Sequence, residues 1–323
     1  MSTKASVNLY CLIARESPTA VVIRRGPTNR AQLLSWDLTN DLFDKGQWFK
    51  GRIYEHHCDL SPSGRYLVYW AGNHKAPYYH WTAVSRPPYL TALSLWPNHG
   101  SIGGGLFDSE NHLLLTYLSK RKANGLPMPK DFNVQAWTGD YDAPLGHITE
   151  ARLVRDGWSK TQQGLFKTDE ATIGEQGRID NWFEESRNLE LGSLEGGGLL
   201  ALPTLKKYSK GEIRHPFDPI DIRRKLSGAY YIEMRTLGLW QVEGPTYVTE
   251  YQVISATTNS IVLDLGRADW ADWDRNGDLL YAKSGSMFRA PMENLGNGDA
   301  VQLIDLSGAT FEPLEAPAEF KQW

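Results

Sequence analysis

The feature that most restricts the fold of this 323-residue chain is a phrase it writes twice. Residues 58–72 read CDLSPSGRYLVYWAG, and residues 271–285 read ADWDRNGDLLYAKSG. Each copy passes from an apolar residue through a short polar turn closing on Gly, Ser61-Pro62-Ser63-Gly64 or Asp274-Arg275-Asn276-Gly277, and resumes as an apolar run. Such spacing specifies a β-hairpin whose turn holds one residue at positive φ, which Gly adopts without a Cβ clash. A weaker third copy over 106–115 has Asn111 where the others have Gly. Asn tolerates positive φ best after Gly, so the same conformation is expected there.

The turn positions 64, 111 and 277 set a repeat length. The first interval, 47 residues, matches one four-stranded propeller blade with its loops. The second, 166 residues, accommodates two further blades at about 55 residues per step. The two ends then supply one more blade, with 7–14, 20–25 and 32–38 as three of its strands and 309–323 as the fourth. The sequence therefore predicts an all-β chain forming a single β-propeller domain over 1–323. Six four-stranded blades are expected, with five or seven as the neighbouring counts, closed by N- and C-terminal strands so that no sheet edge is left bare. A content of 12 Trp, 15 Tyr and 30 Gly favours strands and turns in the same way.

One region breaks the strand rhythm. Residues 169–195 carry eight acidic side chains against Arg178 and Arg187. Asp180, followed by Glu184 and Glu185, reads as a helix N-cap with acidic residues in the first turn. Residues 206–225 carry seven basic and three acidic side chains. The whole of 169–225 is expected to be an insertion between blades, with a short helix near 169–195 and two oppositely charged surface segments, or else a patch that meets a partner.

The phrases Leu60-Ser61-Pro62-Ser63-Gly64-Arg65 and Trp273-Asp274-Arg275-Asn276-Gly277-Asp278 resemble the Ser-Pro-Asp-Gly hairpin of TolB-like and WD40-like β-propellers. The wording around Ser85-Arg86-Pro87-Pro88-Tyr89-Leu90 is also similar to that of uncharacterised bacterial proteins. The resemblance implies a propeller fold and leaves the activity open.

Charge and composition narrow the partners. Lys and Arg number 34 against 38 Asp and Glu, a net of −4, so there is no global basic field to draw nucleic acid or an anionic membrane. No apolar run approaches the roughly 20 residues of a membrane span, and the N-terminal apolar stretch is too short for a signal peptide. Cys11 and Cys58 each sit in a strand-like phrase and read as buried, reduced thiols, consistent with a cytoplasmic location.

Motifs for chemistry are sparse. Asp272, Asp274 and Asn276 before Gly277 match the first half of a calcium loop, but Lys283 stands where a bidentate Glu is required, which favours a plain turn. His56 and Cys58 share one strand face, yet a metal would need ligands from elsewhere, and no metal or cofactor is expected. Gly100 and Gly103–Gly105 read as a tight connection that needs glycine. There is no Gly-x-Ser-x-Gly elbow, phosphate loop or His-Glu-x-x-His, so no catalytic residue is assigned. In a blade, the loops opposite the Ser61–Gly64 turn hold Trp48, His57, His74, Lys75, Tyr78, Tyr79, His80 and His99. These residues are predicted to line a ligand-binding mouth. The expected function is an interaction module for a protein or small ligand. The alternative is a hydrolase or lyase acting on a sugar or lactone at the axial mouth.

Overall fold

Both copies of the repeated phrase are hairpins. The structure, a computed structural model, describes residues 7–26, 29–98, 103–117, 125–138, 147–161, 206–209, 212–214, 221–240 and 247–323. It is all-β. A first sheet has the order β1 (Asn8–Ile13), β2 (Thr19–Arg25), β3 (Arg30–Asp37), β4 (Leu42–Lys50). In a second, β7 (Leu67–Gly72) pairs with both β5 (Arg52–Ile53) and β6 (Asp59–Leu60) and is followed by β8 (His80–Ser85) and β9 (Ser94–Asn98). The third joins β10 (Gly105–Ser109), β11 (His112–Leu115) and β12 (Asn133–Ala136), the last two in parallel. A helix, α1 (His147–Arg155), leads to the fourth sheet. That sheet comprises β13 (Ser159–Lys160), β14 (Lys206–Ser209), β15 (Glu212–Arg214), β16 (Asp221–Ser227), β17 (Tyr230–Trp240), β18 (Tyr247–Ser255) and β19 (Ile261–Arg267). The fifth is the meander β20 (Trp270–Trp273), β21 (Leu279–Lys283), β22 (Ser286–Ala290), β23 (Val301–Asp305).

The β6–β7 and β20–β21 turns contain Gly64 at φ 81° and Gly277 at φ 87°, as the repeat requires. Asp274 organises the second turn by accepting hydrogen bonds from the backbone N–H groups of Asn276 and Asp278. The third copy differs. Asn111 is not at positive φ, and the β10–β11 connection is two residues long, with Ser109 opposite His112 and a register shift between Phe107 and Ser109. Its Glu110 instead reaches the neighbouring turn, accepting from Ser63 N at 3.0 Å and Ser63 Oγ at 2.7 Å.

Side-chain alternation explains how the sheets stack. In β2, Val21 and Ile23 face the second sheet beside Leu67, Tyr69 and Ala71, while Ala20 and Val22 face the fifth beside Leu280, Ala282 and Met287. The first sheet is thus buried on both faces, which its near-continuous apolar strands require. Val68, Val84 and Trp96 carry the second sheet onto Phe107, Leu113 and Leu115 of the third. Ile232, Met234 and Val253 of the fourth pack with Ala271, Trp273 and Leu279 of the fifth, beside Trp158 just after α1. The helix touches both of the remaining sheets. Arg155 donates to Asp59 and to the carbonyl of Phe107, and Glu150 pairs with the fully buried Arg223 of β16.

Two expectations need correction. The fourth strand of the first sheet is β4, next in sequence, and 309–323 forms no strand. Asp37 turns the chain straight back by accepting from Thr39 N and Asn40 Nδ2, whereas the C-terminal segment carries Pro313 and Pro317, which cannot donate to a ladder. That segment is a strap. Arg24 of β2 donates to the carbonyls of Leu306 and Ala309, Phe311 packs on Trp48 and Arg30, Arg86 donates to the Glu319 carbonyl, and Trp323 meets Tyr66 and Phe132. Secondly, 206–225 is not inserted between sheets, because β14, β15 and β16 are strands of the fourth sheet. The helix expected near 169–195 lies outside the described residues. The described residues form five sheets.

Candidate functional site

The predicted histidine mouth is assembled in part, and as packed rings. Trp70 of β7 stacks on Tyr54 at 3.9 Å between ring centroids and meets His57 edge-on at 5.0 Å. The Tyr54 hydroxyl lies 3.3 Å from Nε2 of His80, and the His80 ring is 4.7 Å from that of His74. His57 Nδ1 reaches the Gly103 carbonyl at 3.1 Å. Lys75, Tyr78 and Tyr79 lie on the β7–β8 loop, which is closed by Asn73 N and His74 N donating to the Tyr79 carbonyl. Trp48 does not belong to a loop. It is part of β4 and packs beneath Arg24 and Phe311, because the chain pairs β4 with β3 before it reaches the second sheet. His99 lies outside the described residues. The half calcium loop is also spoken for: Asp272 pairs with Lys225 at 2.6 Å, and Asp274 with Arg289. Among the described residues no group of three or more His, Cys, Asp or Glu is placed to hold a metal.

A concavity lies elsewhere. Facing residues of β1, β16, β17, β18 and β20, with the turn that holds His56 and the helix α1, enclose a cavity of about 540 Å³. That is the size of a small-molecule site. Its wall contains an aromatic sandwich in which the His56 ring sits 4.6 Å from Tyr10 and 4.6 Å from Tyr247. Arg152 of α1, 3 % exposed, donates to the Cys58 carbonyl at 2.8 Å and to the Tyr10 hydroxyl. Because the guanidinium only donates, the Tyr10 oxygen is the acceptor and its own proton is left to point elsewhere. Arg155 grips Asp59 through both terminal nitrogens, at 2.7 and 2.9 Å, and its Nε donates to Asp156.

Burial tunes these groups. It pushes the Tyr10 phenol up to about 12, against the pull of Arg152, and raises the Asp272 carboxyl despite Lys225. It opposes charge on Glu55 too, yet Arg25, His56 and Arg52 hold that carboxyl down to about 2. His56 is driven down to about 3, chiefly by burial and against the attraction of Glu55, so it stays a neutral donor and acceptor at ordinary pH.

This last shift has a measurable sign. The unfolded chain protonates His56 near pH 6.5 and the folded one only near 3, so the residue's contribution to stability is complete above 6.5 and is lost as pH falls toward 3. The slope from one such group reaches about 1.4 kcal/mol per pH unit. Asp269, pushed up to about 7 by burial against the hydrogen bond from Leu9 N, gives a slope of opposite sign over an overlapping range, so the comparison must be between variants. His56→Phe, which preserves the sandwich, should lower the slope of stability against pH by up to about 1.4 kcal/mol per pH unit relative to the parent between 3 and 6.5, and move acid unfolding to lower pH. Parallel urea-denaturation curves for the two proteins at every pH would show the residue to be unperturbed.

Sequence reading missed Tyr10, Arg152, Lys225, Tyr247 and Tyr251, which come from four separate elements, β1, α1, β16 and β18. The available signal was local: Asp272 is a charge set inside the otherwise apolar strand phrase Trp270-Ala271-Asp272-Trp273, where the chain retains a charge only if it is paired.

No protein-family model matches the chain, and no curated protein matches it. Among solved structures, the uncharacterized protein lmo1340 from Listeria monocytogenes EGD-e is similar at 10% identity and a TM-score of 0.36, over 96% of this chain and 98% of that one.

Proposed function

We propose that the five sheets close into a propeller-like ring and that the protein is a binding module for a small ligand, held in the central cavity. The ring is supported by the succession of packed faces from third to second to first to fifth to fourth sheet, with α1 bridging the two ends. The observation that carries the binding role is the cavity itself. It is a space of about 540 Å³, lined by aromatic and by charged side chains, where strands of the first, fourth and fifth sheets meet α1. Binding is favoured over the hydrolase or lyase reading by the state of the carboxylates. Asp59 and Asp156 are held by Arg155 and Asp272 by Lys225, so none on the wall is left to act as an acid–base pair on a sugar or lactone.

A screen of small aromatic and polar fragments, read through the indole N–H signals of the tryptophans, tests this. Hits should shift Trp158, Trp270 and Trp273, which line the cavity. Shifts confined to Trp70 and Trp81 would move the site to the histidine cluster, and a screen without hits would overturn the binding role.

A further inference from the structure

The cavity wall is not electrically balanced. Its four carboxylates, Asp59, Asp156, Asp272 and Asp274, are each engaged by a cation, and Asp274 is engaged by one outside the wall, Arg289. Arg15, Arg152 and Arg275 also line the cavity and form no ion pair with a carboxylate among the described residues. All three donate to backbone carbonyls. Arg15 donates to Phe107 O at 2.9 Å, and Arg152 to Cys58 O. Arg275, at an exposed position, donates to the carbonyl of Arg15, which sets the two guanidinium-bearing residues side by side. An excess of positive charge here is not inherited from composition, since the whole chain carries a net of −4. The wall carries five cations, Arg15, Arg152, Arg155, Lys225 and Arg275, against four carboxylates, and a concavity with a net positive charge favours ligands of negative charge. The flat faces of Tyr10, Tyr247 and the buried tryptophans meanwhile suit a planar body.

Building on the cavity as the binding site, we infer that its ligand is a planar organic anion. The flat apolar part lies against the aromatic wall, and the oxyanion, a carboxylate or phosphate, engages the arginines that no carboxylate holds. Guanidinium forks match both oxyanions, so the arginines alone do not choose between them.

Four matched probes separate the terms: 2-naphthoate, 2-naphthyl phosphate, 2-naphthylmethanol and 2-naphthylmethylamine, each titrated against the full chain with tryptophan signals as the readout. At least one anion should bind about tenfold or more tightly than the alcohol, with the amine weakest, and raised salt should narrow the gap. Whichever anion binds more tightly identifies the oxyanion. Arg275→Gln, at an exposed position, should leave the melting temperature unchanged, weaken the anion about three- to tenfold and leave the alcohol unaffected. Equal affinity for alcohol and anions at the cavity tryptophans would overturn the charge preference while leaving the cavity as a binding site. Failure of all four probes to shift those tryptophans would remove both.

Discussion

A chain ending at Gly308 should melt roughly 6–10 °C below the full-length protein, or aggregate on expression. The lost segment forms no strand, so the damage comes from unstrapping rather than from opening a ladder. Phe311, Phe320 and Trp323 leave their seats on Trp48, Tyr89 and the Tyr66–Phe132 pair, which are surfaces of the first three sheets. Three partly buried aromatics are together worth about 3–5 kcal/mol, a large share of the roughly 5–15 kcal/mol that holds a domain folded. At about 2 °C per kcal/mol for a chain of this length, that sum gives the expected shift. The guanidinium of Arg24, 3 % exposed, also loses the Ala309 carbonyl, and no water can easily replace it. A truncated protein that stays soluble with an unchanged melting temperature would show the strap to be ornamental.

Gly104→Ala should be the most damaging single methyl group in the molecule's described loops, at about 3–5 kcal/mol. Gly104 stands at φ 97° between β9 and β10, and a Cβ there would lie 2.2 Å from the carbonyl oxygen of His57 and 2.7 Å from its Cβ. The obstacle is backbone, so no rotamer change relieves it. The Gly104 N–H is moreover committed to Thr82 Oγ1 at 2.9 Å, which prevents the loop from sliding away. Gly266 supplies the control. It is also at positive φ, 57°, but a Cβ there meets nothing within 4 Å, so Gly266→Ala should cost only about 1 kcal/mol of backbone strain. Equal losses at the two positions, measured by chemical denaturation, would mean that the close approach to His57 is not what requires glycine.

These two sites mark how far the sequence could be read. Gly64, Gly277 and the 103–105 run were legible because a turn writes its dihedral requirement into a single residue. Asn111 misled because Asn tolerates positive φ without requiring it, so the residue alone does not state the conformation. The expected terminal strand failed for a related reason: 309–323 contains apolar residues in roughly the right number, but Pro313 and Pro317 deny it a ladder, and Trp48, taken for a loop residue, already stood in the strand that fills the place. The histidines drew together because they flank consecutive strands of one sheet. Tyr10, His56, Arg152, Tyr247 and Asp272 share one cavity through contacts that span up to 262 residues, and no local pattern encodes such a meeting.

The two-faced burial of the first sheet bears on how the chain must be made. Val22, Leu34 and Trp36 leave a ribosome about 250 residues before the surfaces that cover them, Leu280, Ala282, Met287 and Leu306. Throughout synthesis one side of an otherwise complete four-stranded sheet therefore stays bare, and its closure must wait for a contact of very high sequence separation. Such topologies fold slowly and present sticky intermediates. During that interval the nascent chain is a natural client for a holding chaperone, and a stalled chain of 250 residues should precipitate where the finished one does not.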